Sequence, residues 1–225
     1  MCFSATASFG ASAALALIGS VSMKNSDSAG LKTLSSIPLL LSIQQFTEGI
    51  IWLSLTNPEY SDLKNISTVV FLIFAELIWP IFLPVSMLVI ENSSIRRKIL
   101  RILLIFGIIQ ALYIGYGMIF YPVDAAVSGS HIKYQLDFPG ANHWTAGIFY
   151  ILATGLSPFI SGNKRISLIG IIIICSYIFT RLLYADYIIS VWCFFAALIS
   201  IVVLYVVSDL KKHPYKQAAF AKPSP

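Results

Sequence analysis

Charged residues are scarce in this chain of 225 residues. Only 11% of the residues are Asp, Glu, Lys or Arg, whereas 57% are hydrophobic, and the mean hydropathy is +0.82. Soluble domains carry about a quarter charged residues, so the composition argues strongly against a water-soluble domain. The net charge is +5, but no basic run interleaved with aromatic residues occurs, and we expect no nucleic-acid partner.

Cysteine and histidine are also rare, with three residues of each. The cysteines form no CxxC pair, which excludes zinc-ribbon and thioredoxin-like motifs. The histidines form neither an HExxH nor an HxxxH pair, so a metal site built from histidine alone is not expected. The sequence therefore predicts no metal site, and it leaves the cofactor unknown. These residues are Cys2, Cys175, Cys193, His131, His143 and His213.

Long apolar stretches account for the high hydropathy. Each is close to the roughly 20 residues with which a helix crosses an apolar core of about 30 Å. Helices are expected because lipid offers backbone polar groups no other partner, and the stretches do not alternate as barrel strands do. The sequence predicts an all-α integral membrane protein, a seven-transmembrane helix bundle over residues 1–208. Its spans are about 3–23, 37–56, 67–90, 99–121, 144–161, 166–183 and 187–208.

The basic residues orient this bundle in the lipid bilayer, which is its expected partner. Twelve of the fifteen Lys and Arg residues lie in alternate gaps and in the tail, and such loops face the cytoplasm. The N-terminus is then outside, and the tail 209–225 is a disordered cytoplasmic end. The long connection 122–143 lies outside, where its length favours a lid-like or other functional role.

Two acidic residues fall inside the predicted spans. Glu48 shares a helix face with Gln45, and Glu76 lies near mid-membrane, one turn before Trp79 and Pro80. An ionisable side chain in the membrane is costly to bury and indicates function by default, because it must be protonated, paired or bound to a ligand. For Glu48 the alternative is a packing hydrogen bond to a neighbouring hydroxyl or amide.

Further candidate pocket residues lie in the outer half of the predicted bundle or beside its outer loop. The inner half has almost no polar counterparts, so the asymmetry predicts an outward-opening cavity. Arg181 is the nearby cation, which either pairs with an acid or extends to the interface. With the acids, the predicted ligand-binding set is Gln45, Glu48, Glu76, Trp79, Tyr113, His131, His143, Trp192, Cys193 and Cys2.

The N-terminal stretch SATASFGASAA favours a closely packed first helix, because Ser4, Ser8 and Ser12 are spaced four apart among small residues. Cys2 and Cys193 both fall on the outer side, where a disulfide can persist. A shared metal, haem or thiol site and a pair of buried apolar thiols are the alternatives.

Four segments of the chain carry a family resemblance. The start MCFSATASF, the segment LLLSIQQFTEGIIWL, the motif WPIFLP and the segment SVWCFFAALIS together resemble a family of bacterial membrane proteins of unknown function. The resemblance implies a seven-span architecture and a bacterial plasma membrane. It implies no activity, substrate or catalytic residue.

Two better-known classes of seven-span protein fit poorly. Microbial rhodopsins need a lysine in the last helix, and the stretch 187–208 has none. Ceramidase-like hydrolases need three zinc histidines. Here only His131 and His143 fall on the outer side, so that interpretation requires Cys or Glu as a substitute ligand.

Three functional hypotheses remain. The preferred one is binding of a small ligand, ion or proton in an outward-facing polar pocket, as in a sensor or a permease. The second is an intramembrane enzyme in which Cys193 or Cys2 acts as thiol or metal ligand and Glu48 or Glu76 as general base. The third is structural, with the acids holding helices together. Whether the protein is an enzyme stays open.

Overall fold

The computed structural model describes residues 4–139 and 144–212, with the backbone alone at 144–146, 186, 193, 194 and 196. Three predicted features therefore lie outside the described residues: Cys2, His143 and most of the tail, from residue 213 on. The same holds for the side chain of Cys193. Within the described residues the chain forms helices and a single β-hairpin.

Helices follow one another along the chain with short connections. They are α1 (Ala5–Lys24), α2 (Ala29–Ser35), α3 (Ile37–Thr56), α4 (Pro58–Ile90), α5 (Ser94–Phe120), α6 (Trp144–Ile151 continued by Leu152–Leu156 and Ser157–Ile160), α7 (Ser167–Leu183) and α8 (Ile188–Lys212, with a turn at Phe195). The strands β1 (Val123–Ser128) and β2 (His131–Leu136) lie between α5 and α6.

Several boundaries differ from the sequence-based ones. The short helix α2 occupies a gap predicted to be a loop, and α4 begins upstream of residue 67 with a 3₁₀ turn over Pro58–Leu63. The last helix continues past residue 208 to Lys212, and Asp209 in this extension pairs with Arg165. The start of the predicted tail is therefore helical.

Length and composition fit an all-α membrane protein. Among the described residues, four helices are long and apolar enough to cross a membrane, namely α1, α4, α5 and α8. Helices α6 and α7 are shorter and apolar. Helix α3 equals α1 in length, at 20 residues, but carries polar residues at its centre. Large apolar side chains such as Leu112, Ile119 and Leu182 are exposed, as lipid-facing residues are.

Small polar residues join α1 to α3. The hydroxyl of Ser12 donates to the carbonyl oxygen of Ser42 over 2.8 Å, and the hydroxyl of Ser42 donates to the carbonyl oxygen of Ser12 over 2.8 Å. Both serines are buried. Small residues allow helix backbones to approach and hydroxyls to bond across the contact, so the predicted close packing of the first helix is present in its described part.

Two helices that line the interior contain π-helical turns, and each turn is followed by a proline. In α4 the turn is Ile73–Ile78, with Pro80 after it; in α6 it is Leu152–Leu156, with Pro158 after it. In a π turn a carbonyl accepts from the N–H five residues on, and proline has no N–H. One carbonyl per turn thus loses its backbone partner.

Hydroxyl groups bond to both of these carbonyls. Ala75 lies five residues before Pro80, and its carbonyl oxygen accepts from the Tyr150 hydroxyl over 2.7 Å. Ala153 lies five residues before Pro158, and its carbonyl oxygen accepts from the Ser157 hydroxyl over 2.6 Å. Because lipid contains no water to take this role, the hydroxyls are what make the two π turns compatible with a buried site.

Gly107 of α5 lies where the two π turns meet. A Cβ atom added to it would be 1.9 Å from the carbonyl oxygen of Pro80 and 3.3 Å from the Cβ of Ala153. The same Pro80 carbonyl lacks a helical donor, because the residue four positions on is Pro84. The close approach of α5 to α4 therefore requires glycine at this position.

The hairpin forms within the long connection 122–143, for which the sequence predicts no strands. Strands β1 and β2 pair antiparallel, with Ser128 opposite His131, and Gly129 in the turn has a φ of 60°, which favours glycine. Its inward side chains Ala125 and Ile132 are fully buried against the helices. The hairpin adds strands to an otherwise helical fold and covers one end of the bundle.

The main apolar core lies at the other end of the bundle. It joins α2, the start of α5 and the start of α7 to the ends of α4 and α8, through Leu34, Leu100, Ile166, Met87 and Val206, all fully buried. In lipid, such contacts stabilise through van der Waals packing between the helices. This core holds the helix ends together and leaves the hairpin end free for a cavity.

Gly107→Ala should destabilise the fold, because the added Cβ would overlap the Pro80 carbonyl oxygen and force α5 away from α4. We expect a loss of about 1–3 kcal/mol in the free energy of unfolding, the usual range for an overpacked site. The measurement is the unfolding midpoint of detergent-purified protein.

Gly10→Ala is the matched control for this substitution. A Cβ added to Gly10 meets no atom within 4 Å. The higher helix propensity of alanine is then the remaining effect, and the stability should be equal or slightly higher. Equal unfolding midpoints for Gly107→Ala and Gly10→Ala would contradict the proposed close contact.

Candidate ligand-binding cavity

A cavity of about 750 Å³ lies between the helices beneath the hairpin. Side chains of α3, α4, α5, α6, α7, α8 and β2 line it. Helix α8 contributes both Ile188 and Ile199, which at 1.5 Å per residue are about 16 Å apart along the helix. The cavity is therefore elongated, and its lining changes from the hairpin end to the far end.

Charges of both signs surround the hairpin end. Lys133 of β2, Asp137 just after β2 and Arg181 near the end of α7 line the cavity there, together with Tyr187. Asp137 and Arg181 are exposed. Charges that water reaches are screened within about 10 Å at ordinary ionic strength, so this mixed rim selects only weakly for the charge of a ligand.

Two polar side chains face the middle of the cavity, Glu76 in the π turn of α4 and Gln110 on α5. Gln110 is only 2% exposed, and Glu76 is half-buried. Within the described residues neither side chain forms a hydrogen bond or an ion pair. A buried polar group without a partner is costly, so a carboxyl group and an amide are available here to a bound molecule.

Aromatic rings form the wall beside these two groups. The ring of Trp192 lies 5.3 Å from that of Tyr150 and 5.7 Å from that of Tyr177, at interplanar angles of 59° and 67°. All three residues line the cavity. Tyr150 bonds to the carbonyl of Ala75, so the aromatic group sits beside the residue that precedes Glu76.

Trp192, Trp79 and Tyr150 have their polar atoms already bonded to protein. The indole N–H of Trp192 donates to the hydroxyl of Ser176 over 2.7 Å, and that of Trp79 donates to the amide oxygen of Gln44 over 2.7 Å. With the Tyr150 hydroxyl also engaged, these rings are fixed in orientation. What they offer to the cavity is their π surface.

Aliphatic side chains close the far end of the cavity. Ile37, Leu41, Leu83 and Ile199 line it there. Taken along its length, the cavity passes from a charged rim through a band with one carboxyl group, one amide and several rings to an apolar end. This order matches an amphipathic molecule with its apolar part inserted first.

Glu48 is separate from the cavity and serves helix packing. Its carboxylate is fully buried. One oxygen accepts from the Gln45 amide over 3.0 Å, and the other accepts from the Ser190 hydroxyl of α8 over 3.1 Å. The arrangement corresponds to the packing alternative for Glu48, and it joins α3 to α8.

The remaining predicted site residues are divided between the cavity and other places. Trp79 and Trp192 line the cavity with Glu76, whereas Gln45 and Glu48 belong to the α3–α8 contact. Tyr113 and His131 lie near the hairpin and outside the cavity wall. Cys2 and His143 lie outside the described residues, and so a link between Cys2 and Cys193 stays a prediction.

Tyr113 and His131 take part in contacts near the hairpin. The Tyr113 hydroxyl donates to the carbonyl oxygen of Pro139 over 2.8 Å. The His131 ring lies 5.4 Å from the ring of Tyr184 and 5.0 Å from that of Tyr187. Partial burial lowers the pKa of His131, because it disfavours the charged imidazolium. These residues position the hairpin over the cavity.

An ion pair fixes the first strand of the hairpin. The Lys64 ammonium of α4 lies 2.6 Å from the carboxylate of Asp124. This hydrogen bond lowers the pKa of Asp124, so the pair persists at neutral pH. Since both groups are partly exposed, the pair contributes at most about 1 kcal/mol, and apolar burial of the hairpin is the larger contribution.

A metal centre finds no support in the described residues. Across residues 4–139 and 144–212, no group of three or more His, Cys, Asp or Glu side chains could hold a metal ion. The cavity instead offers hydrogen-bonding groups, π surfaces and apolar contacts. Its lining suits the binding of an organic molecule.

Several lining residues were missed as site candidates in the sequence. Tyr150 and Thr154 lie four apart on α6, and Tyr177 and Arg181 lie four apart on α7. Such i, i+4 pairs of polar residues share one face of an otherwise apolar helix. That spacing could have indicated an interior polar face, although it could not show that both faces meet at one cavity.

Glu48→Leu should destabilise the protein, because the Gln45 amide and the Ser190 hydroxyl would lose their acceptor inside the bundle. We expect a loss of about 1–3 kcal/mol, measured as a lower unfolding midpoint. Ser190→Ala should cost less, about 0.6 kcal/mol, the average for one hydrogen bond between membrane helices.

The matched control for this substitution is Glu59→Leu in the exposed turn that begins α4, where no packing partner is lost. Unchanged stability of Glu48→Leu relative to this control would show that the contact does not hold α3 to α8.

Comparison with known proteins identifies the family of this chain but no activity. Residues 1–219 match the family model described as "Family of unknown function (DUF6629)". No curated protein and no solved structure matches significantly. The match agrees with the resemblance to an uncharacterised family that the sequence motifs suggested. Because the match covers nearly the whole chain, this protein belongs to the DUF6629 family of unknown function.

Proposed function

We propose that this protein binds a small amphipathic organic molecule in the cavity beneath the hairpin, as a sensor or a permease does. The observation that carries the proposal is that the side chains of Glu76 and Gln110 both face one cavity. Neither has a hydrogen-bond or ion-pair partner within the described residues. Glu48 differs from Glu76 in this respect, because its carboxylate already accepts hydrogen bonds from Gln45 and Ser190.

Size and lining support the same function. Ligand sites in proteins occupy about 300–1,000 Å³, are mostly apolar and contain a few placed polar groups. The cavity volume of about 750 Å³ falls within this range. A cavity of this volume exceeds what an ion or a proton needs, so we favour an organic ligand over the ion and proton alternatives.

The membrane arrangement is also part of the proposal. We infer seven spans formed by α1 and α3–α8 in a plasma membrane, with the N-terminus and the hairpin outside. The distribution of basic residues supports this orientation. The hairpin then covers the outer mouth of the cavity, and a ligand would enter from outside.

The orientation predicts opposite results for two reporter fusions in a bacterial host. Alkaline phosphatase, which is active only outside the cytoplasm, should be active when inserted at Gly129 in the hairpin turn. Green fluorescent protein, which fluoresces only inside, should fluoresce when fused after Pro225. The controls are the exchanged fusions, with green fluorescent protein at Gly129 and alkaline phosphatase after Pro225, and both should be inactive. Activity of the exchanged fusions would show that the orientation is the opposite of the proposed one.

Filling the cavity should abolish ligand binding. Ile114 is 4% exposed and lines the cavity on α5, so Ile114→Trp should occupy the space that a ligand needs. A neutral amphiphile, phenylbutanol, is the probe. Its binding to full-length protein in phosphatidylcholine nanodiscs is measured by calorimetry, with empty nanodiscs subtracted, and should weaken by roughly tenfold or more.

Ile109→Trp on the same helix is the matched control, because Ile109 is 47% exposed and does not line the cavity. It should bind phenylbutanol as the unmodified protein does. Ile148→Trp fills the cavity from α6 and replaces Ile114→Trp if that variant does not fold. Equal binding by the filled and control variants would refute the proposed site.

A further inference from the structure

We infer that the cavity is selective for an organic cation, a protonated amine carried on an apolar body, with the ammonium group at Glu76 and between the aromatic rings. This inference rests on the proposed function and names the class of its ligand. It follows from what the middle of the cavity offers to a ligand and from what is already bonded to protein.

The charge of the group in the middle of the cavity favours a positive ligand. In the middle of the cavity the Glu76 carboxyl group is the acidic side chain of the lining, and the basic lining residues Lys133 and Arg181 lie at the hairpin end. An ionisable group inside the membrane that lacks a partner is stabilised by an opposite charge. A bound cation supplies that charge, and neutral or anionic ligands do not.

The aromatic rings of the cavity wall also favour a positive ligand. Trp192, Tyr150 and Tyr177 are mutually tilted at 5.3 and 5.7 Å between centroids. Ring faces carry partial negative charge, and a cation within about 6 Å of such faces is attracted to them, more so where water is excluded. The carboxyl group and the rings therefore favour the same charge.

Hydrogen bonds to protein fix the orientation of several aromatic side chains. The indole N–H groups of Trp192 and Trp79 and the hydroxyl of Tyr150 donate to protein acceptors. They are thus not free to donate to a ligand anion. Gln110 remains as a neutral amide whose oxygen can accept from an ammonium N–H. The hydroxyl oxygen of Tyr177, which also lines the cavity, can accept from an ammonium group in the same way.

The apolar end specifies the rest of the ligand. Leu41, Leu83 and Ile199 line the cavity beyond the aromatic band, so an aryl or alkyl body can lie there while the ammonium group stays at Glu76. A small inorganic cation would leave this end empty. The expected ligand class is therefore a lipophilic monoamine rather than a metal ion.

The test compares three probes of the same shape: phenylbutylamine, phenylbutanol and phenylbutyrate, which are cationic, neutral and anionic at pH 7. Their dissociation constants are measured by calorimetry on full-length protein in phosphatidylcholine nanodiscs. We expect the amine to bind roughly tenfold more tightly than the alcohol, and the anion to bind most weakly.

Variants assign this preference to the named residues. Glu76→Gln keeps the shape of the side chain and should remove the preference for the amine, so that phenylbutylamine and phenylbutanol bind with similar dissociation constants. Glu59→Gln, at an exposed acid of the same helix, should keep the preference. Trp192→Leu should weaken amine binding by roughly threefold, and Trp192→Phe should restore most of it. If Glu76→Gln does not fold, the Trp192 pair decides.

The outcomes separate this inference from the proposed function. If the alcohol binds as tightly as the amine, or if the preference survives Glu76→Gln, the inference is wrong although the cavity still binds. Tightest binding of phenylbutyrate, lost in Arg181→Gln, would also overturn it in favour of an anionic ligand at the rim. If Ile114→Trp weakens none of the three probes, the proposed function and this inference both fail.

Discussion

A backbone carbonyl inside lipid must find a donor, and the cavity depends on how two such carbonyls find theirs. Pro80 and Pro158 each follow a π turn and remove one backbone donor. The hydroxyls of Tyr150 and Ser157 replace those donors. Gly107 brings α5 against Pro80 of α4 and Ala153 of α6, and residues of all three helices line the cavity.

The same constraint explains why Glu48 and Glu76 have different surroundings. Glu48 lies on a regular stretch of α3, and its carboxylate joins that helix to α8 through Ser190. Glu76 lies within the π turn of α4, which the packing leaves facing the cavity. One acid joins two helices, and the other faces the cavity.

Residue patterns alone indicate part of the site. Charge scarcity indicates a membrane protein, and membrane burial singles out Glu76, Trp79 and Trp192, which line the cavity. The same reasoning groups Glu48 and Gln45 with them, because depth along a helix does not give the direction in which a side chain points. Tyr150 and Tyr177 were missed since tyrosines in apolar helices are common as interface anchors. The hairpin was missed because its short strands carry a weak alternation signal within a long connection.

By itself the sequence determined which segments are apolar enough for lipid and where prolines interrupt them, since these follow from composition and local backbone chemistry. Only the tertiary structure decided which helices meet, because contacts such as Gly107 with Pro80 join residues distant along the chain. It also decided that Tyr150 donates to Ala75 and that the hairpin covers the cavity. Helix order and rotation depend on packing between segments, and no local pattern encodes them.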